Sequence, residues 1–477
     1  MHLQAKYTKR LCLYGLSVLA CVLAIELPAQ DQDNPVKEYP PLKKLSFDEN
    51  PRAYWNFKNS GNPVDYLKFV PFDENGEHFV SFGGLVRQRY EYVNNPDFGA
   101  TPQDNDGAWL QRYLAHVDLH LGMRFRAYVE FIGAVAVGRP SRPSPVDENQ
   151  LDILNGFVDV TLIQEGDQSL TFRTIRQELE YGSGRLVDVR EGPNVRRTFD
   201  AAKLMYRLPG WQIDLLYGRP LENRRGFFDD VSNEEQALWG VYASGGKDWA
   251  PVGSLDAYYL GYRNDNSAYV VGVARETRHT VGIRLWGDHQ GWDWNWEGIF
   301  QLGEFGPNDI LAWSFATDTG YTFEELAWTP RLALSANIAS GNQNPAGGTL
   351  NTFNPLFPRG NYFSEAAILG PRNFFNLHPF ITVRPMAKLE LTADVNFFWR
   401  LETTDGVYSP SGQILRSGQN TNDRYVGAAV SFTSSYEIMR GLSLTAIYSH
   451  FFPGDFIQAT GPSEAIDFIE LTLQFQF

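Results

Sequence analysis

The chain has only two cysteines, Cys12 and Cys21, and both sit close to its start. Beyond Cys21 there is no material for a disulfide framework or a thiolate metal site. Positive charge is also scarce: 41 Lys and Arg stand against 56 Asp and Glu, leaving −15. A chain this acidic is excluded as a nucleic-acid binder, because such binding rests on neutralising phosphates. Long apolar runs are missing after residue 29, where nothing approaches the roughly 18 uncharged residues of a membrane-spanning helix. That excludes a helical membrane protein but not a barrel, whose strands turn only alternate residues to lipid. No serine-nucleophile elbow, phosphate-cradling glycine loop or zinc spacing occurs, and no cofactor or metal is expected.

What is present begins with a leader. Lys6, Lys9 and Arg10 precede an apolar stretch from Leu11 to Leu27, and Ala29 stands before the polar run Gln30-Asp31-Gln32-Asp33-Asn34. This order predicts a Sec-type signal peptide over 1–29, cut after Ala29. A retained anchor is disfavoured by Glu26 inside a run of marginal length. Lipidation at Cys21 is disfavoured because Val22 to Ile25 continue the apolar core. The leader carries three cations and one anion, so its removal takes the chain from −15 to −17. Residues 30–78, with Pro35, Pro40, Pro41, Pro51, Pro63 and Pro71, show no period and read as a periplasmic segment that partly enters or closes the body of the fold.

From Phe79 onward apolar and polar residues alternate. Trp109, Tyr113, Ala115, Val117, Leu119 and Leu121 oppose Arg112, His116, Asp118 and His120. Leu389, Leu391, Ala393, Val395 and Phe397 oppose Lys388, Glu390, Thr392, Asp394 and Asn396. Period 2 puts each set on one face of a strand. A soluble sandwich shares that alternation, but here many segments reach about 10–13 residues, the length of a tilted membrane strand. Aromatics gather near segment ends, as in interfacial girdles. Links alternate as well: tight ones such as Gly122 and Pro209-Gly210 follow long ones such as 93–108, 177–199, 263–278 and 340–377. The reading is all-β: an antiparallel up-and-down transmembrane barrel of about 18 strands (16–18) over 79–477, with short periplasmic turns and long extracellular loops. Its last strand sets Ile469, Leu471, Leu473, Phe475 and Phe477 outward, and Phe475 with Phe477 resembles the signal read by the outer-membrane assembly machinery.

Inward parity collects cations: Arg87, Arg89, Arg112, Arg124, Arg126, Lys203, Arg207 and Arg284, interleaved with Glu91, Asp118, Glu130 and Asp159. Arginines around a lumen select anions and grip carboxylates. The same residues also suit ion pairs that brace the wall, and both roles can hold together. Glu178 and Glu180 project in parallel at i, i+2, which suits loop bracing better than a glycosidase pair. His116, Asp118 and His120 suit a polar pore face better than a metal site.

One stretch is distinctive. Arg176-Gln177-Glu178-Leu179-Glu180-Tyr181-Gly182 leads through Arg185-Leu186 to Arg196-Arg197-Thr198-Phe199-Asp200-Ala201-Ala202-Lys203. It resembles the signature of the alginate export family, with Ile175 where Gly is expected before Arg-Gln and Val195 where an aromatic is. The resemblance implies an 18-stranded outer-membrane barrel whose Arg- and Lys-lined pore passes a polyuronate. It also implies that Arg176, Gln177, Glu178, Tyr181, Arg185, Arg197 and Asp200 lie in a segment dipping toward the lumen. The expected protein is a monomeric anion-selective channel in the outer membrane of a Gram-negative bacterium, with no enzyme activity. Its expected partners are lipid, an anionic saccharide, the barrel assembly machinery and periplasmic export components. A general or anion-selective diffusion porin for small nutrients is the alternative.

Overall fold

The structure, a computed structural model, describes residues 39–57, 63–103, 106–139, 143–246, 253–418 and 420–477. The expected leader over 1–29 lies outside these residues. Eighteen long strands form the wall. In chain order they are His78–Asn94 (β1), Ala108–Leu121 (β2), Phe125–Val137 (β3), Asn149–Glu165 (β4), Gln168–Gln177 (β5), Phe199–Leu208 (β6), Trp211–Glu222 (β7), Gln236–Gly245 (β8) and Ser254–Tyr269 (β9). Gly272–His289 (β10), Trp292–Phe305 (β11), Asn308–Thr322 (β12), Arg331–Ala339 (β13), Phe374–Met386 (β14), Leu389–Trp399 (β15), Tyr425–Met439 (β16), Leu442–Pro453 (β17) and Ile466–Gln476 (β18) complete it. Every neighbouring pair is antiparallel. The ring closes where β18 pairs β1 from Leu85↔Gln476 to Asn94↔Asp467.

Alternation decides which face meets what. Leu215, Val241, Val281, Phe300 and Trp313 are all exposed on the outside. With Tyr259 they sit side by side at one height, through Leu215↔Val241, Val241↔Tyr259, Tyr259↔Val281, Val281↔Phe300 and Phe300↔Trp313. An exposed apolar belt of this kind is costly in water and stabilising in lipid. No described helix is long and apolar enough to cross a membrane.

Both β1 and β18 have their outer chain ends on the side of the tight turns, which include Gly166 and Gly210 at positive φ. That is the periplasmic side. One expected long link is corrected: 263–278 is not a loop. β9 and β10 run on to a turn at Val270-Val271, with a register shift between Asn264 and Ser267. The polar run at Arg263-Asn264-Asp265-Asn266 suggested a break, but strands that project beyond the bilayer tolerate polar residues on both faces.

The described part of the N-terminal segment docks into the periplasmic mouth. Gln476 donates to the Lys43 carbonyl at 2.7 Å and Arg126 to the Phe47 carbonyl at 2.7 Å. Phe47 meets Tyr128 and Phe157 edge-on, with centroids 5.8 and 5.4 Å apart. Lys68 pairs with Glu49 at 2.8 Å, both buried.

Candidate functional site

Two long extracellular connections fold inward and meet. They are 178–198, between β5 and β6, and 340–373, between β13 and β14. Phe357 donates to the Leu186 carbonyl at 2.8 Å, Asp188 to the Phe357 carbonyl at 2.9 Å, and Arg359 to the Gly184 carbonyl at 3.0 Å. Leu186, Val187, Leu356 and Phe357 belong to one buried apolar cluster. The first loop contributes Tyr181 to an inner cavity of about 1060 Å3 and Arg190 and Arg197 to an outer one of about 410 Å3.

Most of the cations expected to face inward do so with a carboxylate partner. Arg126 grips Asp118 through two bonds of 2.8 Å. Arg176 bridges Asp200 at 3.0 Å and Asp152 at 3.1 Å, and Asp200 also accepts from Ser232. Arg185 reaches Glu297 at 2.9 Å, Arg284 reaches Asp256 at 2.7 Å, and Lys203 lies 3.4 Å from Asp214. Arg89 is held between Glu91 at 3.2 Å and Glu470 at 3.3 Å. Tyr181 donates to Asp214 at 3.1 Å and stacks on Tyr242, while Gln177 is buried and donates to the Ala201 carbonyl.

Arg87 and Arg112 are buried beneath the first loop and clamp it. Arg112 bonds Glu191, and donates to the Asn194 carbonyl at 2.9 Å; Arg87 donates to the Glu191 carbonyl at 3.1 Å. Arg196 also bonds Glu191. Burial alone would raise the Glu191 carboxyl, but Arg112, Arg196 and Arg87 hold it well below the usual carboxylate range. Arg124, expected on a strand, lies in the turn between β2 and β3 and lines the inner cavity.

Four cations without counter-charge lie on the two inward loops. Arg190, Arg197, Arg359 and Arg372 form no ion pair among the described residues. Their partners are neutral: Arg197 donates to the carbonyls of Asp188 and Pro358 and lies over Phe357, and Arg372 lies over Tyr269 and Tyr408. The buried Nε of Arg190, Arg359 and Arg372 has no acceptor. Burial pushes Arg190 down to about 10, and burial with Arg190 nearby pushes Arg197 down to about 9. A guanidinium keeps its proton at neutral pH, so these shifts express charge buried without a counter-ion. Of the four, sequence parity singled out none and motif match only Arg197. Arg190, Arg359 and Arg372 sit in aperiodic loops, and their only sequence trace is a nearby Pro or Gly, as in Arg190-Glu191-Gly192-Pro193, Pro358-Arg359-Gly360 and Pro371-Arg372.

The barrel has well-covered relatives among solved structures. OccAB1 of Acinetobacter baumannii superposes with a TM-score of 0.56 at 12% identity, over 86% of this chain and 98% of that one. OccK2 (OpdF) of Pseudomonas aeruginosa, solved in complex with glucuronate, gives 0.55 at 9% identity, over 83% and 96%. A BenF-like porin from Pseudomonas fluorescens Pf-5 gives 0.56 at 8%, over 83% and 98%. At such identities the likeness shows the fold. No curated protein sequence matches the chain. The family profile described as alginate export matches residues 78–468, nearly the whole barrel. The chain therefore belongs to the alginate export family and is an outer-membrane channel of a Gram-negative bacterium.

Proposed function

We propose that the barrel exports an anionic saccharide, most specifically a polyuronate. In this reading the leader delivers the chain through the Sec route, the assembly machinery inserts it, and periplasmic export components present the polymer. The observation that carries the proposal is the set of four loop guanidiniums without counter-charge, of which Arg190, Arg197 and Arg372 line the outer cavity. Paired arginines on the wall contribute shape and stiffness. Unpaired ones lower the electrostatic barrier for a carboxylate and supply bidentate contacts that a chain can exchange as it moves. Lys203 and Arg284 line the inner cavity as members of ion pairs, and Arg124 and Arg207 line it without one among the described residues, offering further cationic positions between the periplasm and the loops. Glu178 and Glu180 are engaged by Asn155 and Lys44, and we read them as loop supports without a hydrolytic role.

A second reading, uptake or diffusion of small carboxylates, is favoured by the closeness of the two loops at Val187 and Phe357. It also fits the glucuronate seen in the OccK2 relative. Planar-bilayer recording separates the two readings. An oligouronate added to the wild-type channel is expected to interrupt the ionic current for long dwell times, while a neutral oligosaccharide of equal length leaves it unchanged. Equal effects of both sugars would refute the anionic-polymer reading. Brief blocks by monomeric uronate alone would favour the small-solute one.

A further inference from the structure

Where the first loop leaves the wall, four polar atoms are buried without a hydrogen-bond partner: His116 Nδ1, Tyr128 Oη, Glu130 Oε1 and Glu178 Oε1. They come from β2, β3 and the first residue after β5. Asn155 on β4 joins the two carboxylates, donating through one amide nitrogen to Glu130 Oε2 and to Glu178 Oε2 at 2.8 Å each. Its oxygen accepts from the Glu178 backbone at 2.7 Å. His116 Nδ1 lies 3.7 Å from Glu130 Oε1. The one guanidinium nearby, Arg196, is 3.7 Å from Glu178 and already bonded to Glu191, which also carries Arg112. Lys44 of the docked N-terminal segment is taken by Glu180 and Asp188.

Two carboxylates, both almost fully buried and held on a single amide with one shared cation, repel and are poorly solvated. Glu130 Oε1 and Glu178 Oε1 both lack a donor, and a single proton supplies one. We propose that Glu130 and Glu178 share one proton in the packed state, and that its loss to water in the inner cavity loosens the root of the 178–198 loop. Glu178 lines that cavity, so the route for the proton is short.

The direction follows from the raised carboxyl. Burial drives Glu178 up, Arg196 pulls it back and Glu130 adds to the rise, leaving it at about 7 against an ordinary 4.5. A released loop would return it toward the ordinary value. The packed state is therefore favoured most at low pH. It weakens as pH rises from the ordinary value to the raised one, and is constant above that. The packed-to-released ratio falls by up to about two orders of magnitude across the window.

The test is conductance of the full-length channel from about pH 4 to pH 8, for wild type, Glu178→Gln and Glu130→Gln. Wild-type open probability is expected to rise with pH and level off near neutrality. Glu178→Gln is expected to stay flat at the low-pH level, and Glu130→Gln to shift the rise to lower pH. A wild-type curve without a rise in this window overturns the proposal, and so does a Glu178→Gln curve that follows wild type. Folding is checked by heat-modifiable electrophoretic mobility. Infrared spectra of wild type give a readout independent of the variants. A buried protonated-carboxyl band is expected to fade over the same window, and its absence at low pH contradicts the shared proton.

Discussion

At Ile175 the backbone is left-handed, with a φ of 92°. A β-branched residue there is strained, because its side chain crowds the backbone in a conformation that glycine adopts freely. This gives a physical reason for the glycine that the family resemblance leads one to expect at this position. The kink lets Ile175 face outward, 55% exposed, while Arg176 turns in to bridge Asp152 and Asp200. In an ordinary strand Ala is more stabilising than Gly. At 175 the order is expected to invert, with Ile175→Gly more stable than Ile175→Ala by about 1 kcal/mol. Urea unfolding of the two variants in the same lipid vesicles measures it, and an Ala variant at least as stable as Gly contradicts the strain. Val195, the other departure, is buried against Leu85, Leu114, Ile132, Ala134 and Leu154, so an apolar aliphatic fills that wall pocket. The residue type at 175 and 195 was legible in the sequence. The strain and the pocket became visible only in three dimensions.

The elements divide by how far periodicity reaches. All eighteen strands were readable, because each must show lipid one face and the lumen the other. Their extracellular ends were read short, as at β9 and β10, where both faces meet water and alternation fades. The inward loops and the N-terminal strap carry no period, so their contacts could not be anticipated beyond a suspicion that the strap enters the barrel. The strap rests on Phe47, set against Tyr128 and Phe157 with the Arg173 guanidinium 5.0 Å from its ring. Truncating a buried aromatic costs about 3–5 kcal/mol. Here that cost falls on strap docking, since barrel closure depends on the ladder between β1 and β18. Phe47→Ala is expected to expose the strap to protease and to raise conductance, with the barrel still heat-modifiable. Limited proteolysis followed by bilayer recording checks both, and unchanged cleavage with unchanged current would mean the strap does not narrow the mouth.

The whole molecule is acidic, at −15, yet on its two inward loops Arg190, Arg197, Arg359 and Arg372 form no ion pair among the described residues. The acidity was legible in the sequence, but parity assigned the pore field to wall arginines such as Arg87 and Arg112. The structure engages those two with Glu191 and with loop carbonyls, and leaves Arg190, Arg197, Arg359 and Arg372 without counter-charge. Net charge governs solubility and long-range repulsion, whereas selectivity depends on the few charges left unpaired beside the permeating ion. The most direct measurement is the zero-current potential across a planar bilayer in a tenfold salt gradient, for wild type and the double variant Arg197→Gln, Arg359→Gln. Wild type is expected to be anion-selective, and the double variant to lose about half of that potential while staying folded. A cation-selective wild type, or a double variant with the wild-type potential, would contradict the claim that these loop guanidiniums set the field of the pore.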